Sequence, residues 1–199
     1  FKDQITPVKI TKKREELAFD TDEHVRGETT ADGLASLRPA FDKEGQVTAG
    51  NSSGINDGAA ALILGNAEKV EKSNKSPLAK IVSYGFGGVA PRIMGMGPVP
   101  ASKMALERAG LKVSQIDIVE SNEAFAAQAC AVSKELGLPS DIVNPNGGAI
   151  ALGHPVGATG AIIMTKLIYE LHRTGGRYGL ATMCIGGGQG IAVIIDTQV

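Results

Sequence analysis

The clearest periodicity lies in the second half of the chain. Phe125, Ala129, Val132 and Leu136 recur at three- and four-residue spacing, and Gly137 follows, so the pattern predicts a helix over 123–136. A second helix is predicted over 101–109, with Pro98 and Pro100 ahead of it and Gly110 behind. A third, longer helix is predicted over 158–173, stopped by Gly175 and Gly176. Between these segments run short apolar stretches that predict strands: 116–119, 180–185 and 191–195, the last two joined by Gly186-Gly187-Gly188-Gln189-Gly190. Residues 80–89, with Ile81, Val82, Tyr84 and Phe86, also read as strand. Residues 144–153 read as a glycine-rich loop.

The first half is less regular. Residues 1–46 are charged and aperiodic and predict strand remnants and loops, and residues 49–54 a turn. The apolar run 59–64 fits either a buried strand or the start of a helix, and 68–75 a short helix closed before Pro77. Helices alternating with buried strands predict an α/β class with a sheet covered on both faces. The closing strand–turn–strand predicts a mixed sheet ending in an antiparallel pair.

Composition narrows the function. The chain has 199 residues, 43% of them hydrophobic, and a net charge of −1, which excludes a disordered chain and a globally basic nucleic-acid or membrane binder. Glycine is over-represented at 26 residues, so the backbone turns tightly or approaches something closely at several points. No apolar run approaches the ~20 residues needed to span a bilayer, and the charged first sixteen residues are not a signal peptide. Two widely spaced cysteines argue against a disulfide framework or a cysteine zinc site and fit a reducing cytoplasm. Three scattered histidines give no metal site. The chain opens on Phe1 rather than Met, which points to a fragment or a processed chain.

Three places could carry chemistry. Cys184 ends an apolar strand beside Gly186-Gly187-Gly188, where a thiol can meet a substrate and backbone N–H groups can hold an oxyanion, although a buried core cysteine fits the local pattern too. His154, within Gly147-Gly148-Ala149-Ile150-Ala151-Leu152-Gly153-His154-Pro155, is held by glycines and a proline at a helix start, as a base, an oxyanion donor or a capping residue. Asn122, in Asn122-Glu123-Ala124-Phe125, stands where strand meets helix, either as an N-cap or reaching into a cleft at the strand's carboxyl end. His24 and His172 look bland. No segment matches a P-loop, and the dinucleotide fingerprint is weak.

Taken in order, Asn-Glu-Ala-Phe (122–125), Gly-Gly-Ala-Ile-Ala-Leu-Gly-His-Pro (147–155) and Cys-Ile-Gly-Gly-Gly-Gln-Gly (184–190), with Thr-Ala-Gly-Asn-Ser-Ser-Gly-Ile-Asn-Asp-Gly-Ala-Ala-Ala (48–61) upstream, strongly resemble the C-terminal half of a thiolase of the acetyl-CoA acetyltransferase type. The resemblance runs over essentially the whole chain. It implies the second half of an α-β-α-β-α layered fold, with a mixed five-stranded sheet and helices on both faces. Residues 1–75 would be the end of the loop domain and a linker, with part of the coenzyme A surface, and residues 76–199 the C-terminal half-domain.

The resemblance also implies roles. His154 matches the histidine that activates the nucleophile and lines one oxyanion hole. Asn122 matches the residue holding the water that completes it. Cys184 matches the cysteine that moves the proton to and from the α-carbon or the thiol, and Gly186 the glycine whose N–H joins a second oxyanion hole. Ser53 resembles the serine touching the pantetheine arm, Arg26 the arginine near the adenine end, and Met94 and Phe125 apolar wall residues. Coenzyme A and its acyl thioesters are substrates, and no permanent cofactor is implied.

The nucleophilic cysteine belongs to the family's first half and has no counterpart here. The expectation is therefore a chain inactive alone, needing the N-terminal half as partner, and a homodimer or homotetramer when full length. A broader-chain degradative thiolase, a hydrolase using Cys184 as nucleophile, and a non-catalytic coenzyme A-binding or dimerisation fragment are the competing readings. Decarboxylating condensing enzymes, which share the fold, usually carry histidine where Cys184 stands.

Overall fold

The computed structural model describes residues 1–199. Its first strands, β1 (Val8–Lys12) and β2 (Glu15–Phe19), form an antiparallel hairpin turned at Lys13 and Arg14. Every residue of this hairpin is exposed. Two short helices follow, α1 (Ala31–Ala35) and α2 (Ala67–Glu71), each capped by its own side chain, Thr30 and Asn66. The run 59–64 between them is neither buried strand nor helix. It has no regular secondary structure, is unpaired and is exposed, with Ile63 fully in solvent.

The core starts at β3 (Lys80–Gly88). Then come α3 (Pro98–Ala109), β4 (Ile118–Ser121), α4 (Ala126–Leu136), the one-turn α5 (Ala149–Leu152), α6 (Thr159–Thr174), β5 (Tyr178–Ile185) and β6 (Gln189–Asp196). Strand order is β3-β6-β5-β4, with β4 and β5 parallel and the other neighbours antiparallel, so the sheet is mixed.

The ladder has four strands where five were expected. The fifth position is reduced to one parallel bridge, Val119 to Val143, because the chain turns away at Asn144 with φ 47°. Helix α3 starts three residues earlier than predicted. Pro98 and Pro100 occupy its first turn, where their missing N–H groups cost nothing. Helix α4 starts three residues later, because Phe125 stays extended and bridges Ser52. Gly110, Gly137 and Gly175 end the three long helices, as the pattern indicates.

Strand alternation sorts the side chains to two cores. On one face, Val119, Leu180, Ala192 and Ile194 meet Ala101, Ala105 and Leu106 of α3 and Val132 and Leu136 of α4. On the other, Ile118, Ala181 and Ile195 meet Ile163, Leu167 and Leu171 of α6. Helices therefore cover both faces. Helix α3 lies close on β3: a Cβ on Gly85 would stand 2.3 Å from the Ala101 carbonyl oxygen, so only glycine fits there.

Candidate active site

The carboxyl end of β4 organises the site. Glu120, Ser121 and Asn122 are all buried there. The Asn144 side chain pairs with the Ser121 backbone in both directions: its Nδ2 donates to the Ser121 carbonyl at 2.8 Å, and its Oδ1 accepts the Ser121 N–H at 2.8 Å. Glu123 accepts from Asn144 Nδ2 at 3.2 Å and from the Ile150 N–H at 3.3 Å. The glycine-rich loop is thereby tied to the strand end that carries Asn122.

That loop delivers His154. Gly153 precedes it at φ 95°, and a Cβ there would fall 2.5 Å from Asn56 Oδ1, so the approach needs glycine. The His154 N–H is shared between the Gly54 carbonyl at 3.2 Å and Asn56 Oδ1 at 3.1 Å. Its ring has two contacts, Nε2 to Asn122 Nδ2 at 3.4 Å and Nδ1 to Thr159 Oγ1 at 2.7 Å. Burial pulls the ring's pKa below its ordinary 6.5.

The remaining candidates fall at different distances from this pair. Ser53 joins it through the backbone: its N–H and its hydroxyl both donate to the Ala124 carbonyl, at 3.0 and 3.1 Å. Phe125 is half-buried, edge-on to Phe41 with centroids 6.1 Å apart. Cys184 and Asn122 lie at the same end of the sheet, since the Asn122 N–H donates to the Thr182 carbonyl and Ser121 faces Thr182. Cys184 hydrogen-bonds neither Asn122 nor His154, and burial raises its thiol pKa above 9.0. The Gly186 N–H has no hydrogen-bond partner, and space beside its Cα is open. Met94 is half-buried in the 3₁₀ turn Pro91–Met96. Arg26 is exposed, and its guanidinium makes no ion pair.

Several side chains escaped the sequence reading. Asn56 and Thr159 hold His154, and Asn144 and Glu123 hold the loop. His24, bland in sequence, meets Asn56 Nδ2 through its Nδ1 at 3.3 Å. Asn122 is not an N-cap, because α4 begins after Phe125. A cleft of about 350 Å3 is bordered by His24, Asn56, Asn122 and Thr159, and by Glu120 and Lys166. Lys166 Nζ reaches Glu120 Oε2 at 2.9 Å and the Gly147 carbonyl at 2.7 Å. Burial raises the Glu120 pKa despite this partner, and its Oε1 has no hydrogen-bond partner.

Residues 75–197 match the family model described as "Thiolase, C-terminal domain", and residues 1–68 match "Thiolase, N-terminal domain". The chain belongs to the thiolase family. A protein named "Beta-ketothiolase BktB" from Cupriavidus necator is 59% identical over 197 residues, 98% of this chain and 50% of the relative. An "Acetyl-CoA acetyltransferase" from Shinella zoogloeoides is 55% identical over 197 residues, again half of its own length. This thiolase chain thus spans about half the length of the curated relatives it matches. Among solved structures, the Bacillus anthracis acetyl-CoA acetyltransferase superposes with TM-score 0.92 at 50% identity, over 98% of this chain and 50% of that one. Human mitochondrial 3-ketoacyl-CoA thiolase in complex with CoA gives 0.84 at 49% identity, over 92% of this thiolase chain and 46% of the other. The thiolase fold reached through the sequence motifs is therefore the observed fold, and no helix is long and apolar enough to cross a membrane.

Proposed function

We propose that this chain supplies the C-terminal half of a thiolase active site, which joins two acetyl-CoA into acetoacetyl-CoA and CoA, reversibly. The observation that carries this reading is the His154–Asn122 contact at the carboxyl ends of β4 and β5, the end where Cys184 and the free Gly186 N–H also lie. In this reading residues 1–75 belong with the loop domain and residues 76–199 form the half-domain. The break between the two family matches, at 68 and 75, supports that division.

The chemistry follows from the side chains. His154 is neutral near pH 7 because burial disfavours its cation, so it can take a proton from a nucleophilic thiol brought by the other half of the enzyme. That sulfur attacks the first thioester carbonyl. Cys184 stays protonated, since burial disfavours its thiolate, and it donates that proton to the departing CoA sulfur. The Cys184 thiolate so formed takes an α-proton from the second acetyl-CoA. The resulting carbanion attacks the acyl-enzyme carbonyl, the nucleophile's sulfur leaves, and the His154 cation returns its proton to it. His154, a water on Asn122 and the Gly186 N–H stabilise the oxyanions. Ser53 and Phe125, tied together across the Ser52 bridge, line the path of the pantetheine arm, with Met94 further along the wall and Arg26 toward the adenine end.

The test is thiolysis of acetoacetyl-CoA by the purified 199-residue chain, alone and co-expressed with the first half of a relative. The expected result is turnover only in the combination. Turnover by the chain alone, or an active combination that tolerates Cys184→Ala, overturns the reading.

A further inference from the structure

The hydroxyl beside Nδ1 of His154 indicates where the ring's proton sits. On the Nε2 side stands Asn122 Nδ2, which carries donors only. In this amide orientation Nε2 presents its lone pair and Asn122 Oδ1 is left buried without a partner, so the tautomer is decided on the other side of the ring. On the Nδ1 side stands Thr159 Oγ1 at 2.7 Å, and a hydroxyl has one proton and two lone pairs. That single proton has a destination, the Pro155 carbonyl at 2.9 Å, so Oγ1 is left to accept from Nδ1–H. The opposite arrangement, Thr159 donating to Nδ1, would give up the hydroxyl's bond to the Pro155 carbonyl.

We propose that Thr159 is a positioning residue that holds His154 as the Nδ1–H tautomer, with Nε2 as its basic nitrogen. Its placement suits the task. Thr159 is buried, the first residue of α6, and its hydroxyl is fixed in the helix's opening turn by Pro155. The ring is gripped from the backbone side as well, by Asn56. No charged group competes for the proton: Asp22, His24 and Asp57 line the neighbouring cleft, Glu120 is paired with Lys166, Glu123 is engaged by Asn144 and Ile150, and none of them or Cys184 hydrogen-bonds the ring. A hydroxyl that accepts from Nδ1–H supports both the neutral ring and its cation, so it orients the base without adding a charge.

The direct experiment is 15N NMR of the histidine rings in the full 199-residue chain, with His154 assigned by its loss in His154→Gln. Above the ring's pKa, Nδ1 is expected to resonate as a protonated nitrogen and Nε2 as an unprotonated one. Thr159→Val keeps the shape and removes the hydroxyl; the populations should move toward Nε2–H and the titration midpoint should fall. Thr159→Ser should restore the wild-type pattern. An Nε2-protonated ring in the wild type, or an unchanged ring in folded Thr159→Val, overturns the proposal. The wild-type spectrum decides even if Thr159→Val does not fold.

The kinetic consequence rests on the thiolase reading, whereas the spectra do not depend on turnover, so the two can fail separately. In the assembled enzyme, Thr159→Val should lower kcat by about tenfold or more with little change in KM, and Thr159→Ser should recover most of it.

Discussion

His154 is surrounded by neutral hydrogen-bonding groups, and that choice of neighbours sets its behaviour with pH. Burial lowers its pKa, and no carboxylate stands beside the ring to raise it again. The unfolded chain therefore binds a proton more tightly at this residue than the folded one does. Its contribution to stability is complete above about pH 6.5 and is lost as pH falls through the folded pKa. Urea denaturation at pH 7.5 and pH 5 should show wild type losing more stability than His154→Gln on acidification; equal losses would mean that the ring is not desolvated. Cys184 is shifted by the same cause in the other sense. Its thiolate is disfavoured, whereas Cys130 lies exposed on α4. Iodoacetamide at pH 7.5 should thus alkylate Cys130 well before Cys184, as read by peptide mass spectrometry, and labelling of Cys184 first would contradict the burial argument.

At the scale of elements, β3 and α3 show how local composition decides packing. Gly85 lets α3 lie directly on the strand, so Gly85→Val drives a side chain into the Ala101 and Ala105 backbone. A loss of about 1–3 kcal/mol or more is expected, read by denaturation. Leu167→Ala empties a fully buried position between α6 and the sheet and should cost about 2–5 kcal/mol. The elements of this core were largely legible in the sequence, because three helices carry a glycine stop and one of them, over 123–136, a clear helical period as well. What escaped was contact between distant segments. Nothing in the neighbourhood of Asn56 announces that its amide will hold the His154 backbone 98 residues away. Thr159 looks like an ordinary first-turn residue until Pro155 turns the chain and sets the ring against its hydroxyl. The 123–136 pattern runs three residues too far upstream for a similar reason. Phe125 continues the helical period, but a pairing with Ser52 holds it extended. The motifs carrying His154, Asn122 and Cys184 were readable as a set because their order along the chain is itself distinctive.

For the whole molecule, the strongest consequence lies at residues 59–64. The run is as apolar as a core strand, yet it has no regular secondary structure and is unpaired and exposed, with Ile63 fully accessible and Leu64 at 76%. It lies near the end of the stretch, residues 1–68, that matches the thiolase N-terminal domain. An apolar segment with free backbone donors and acceptors is a template for pairing with another chain. The 199-residue polypeptide should therefore self-associate with rising concentration, and Ile63→Lys with Leu64→Lys should suppress this in sedimentation velocity. The same pair of changes should leave the unfolding midpoint nearly unmoved, within about 0.5 kcal/mol, because neither side chain is packed against anything. Two other apolar areas serve as controls: the β1–β2 hairpin and the Tyr84–Phe86 pair under Arg108. Charged substitutions there should have less effect, since both segments have one of their two edges already paired, to β2 or β6, whereas the 59–64 run has neither. Association that persists through Ile63→Lys and Leu64→Lys but disappears on changing Tyr84 and Phe86 would move the sticky surface from the unpaired run to the face of β3. Co-expression with the first half of a relative supplies the final discrimination. If the run is a strand waiting for that half, the partner should abolish self-association as completely as the lysines do, and the lysine variant should in turn fail to capture the partner.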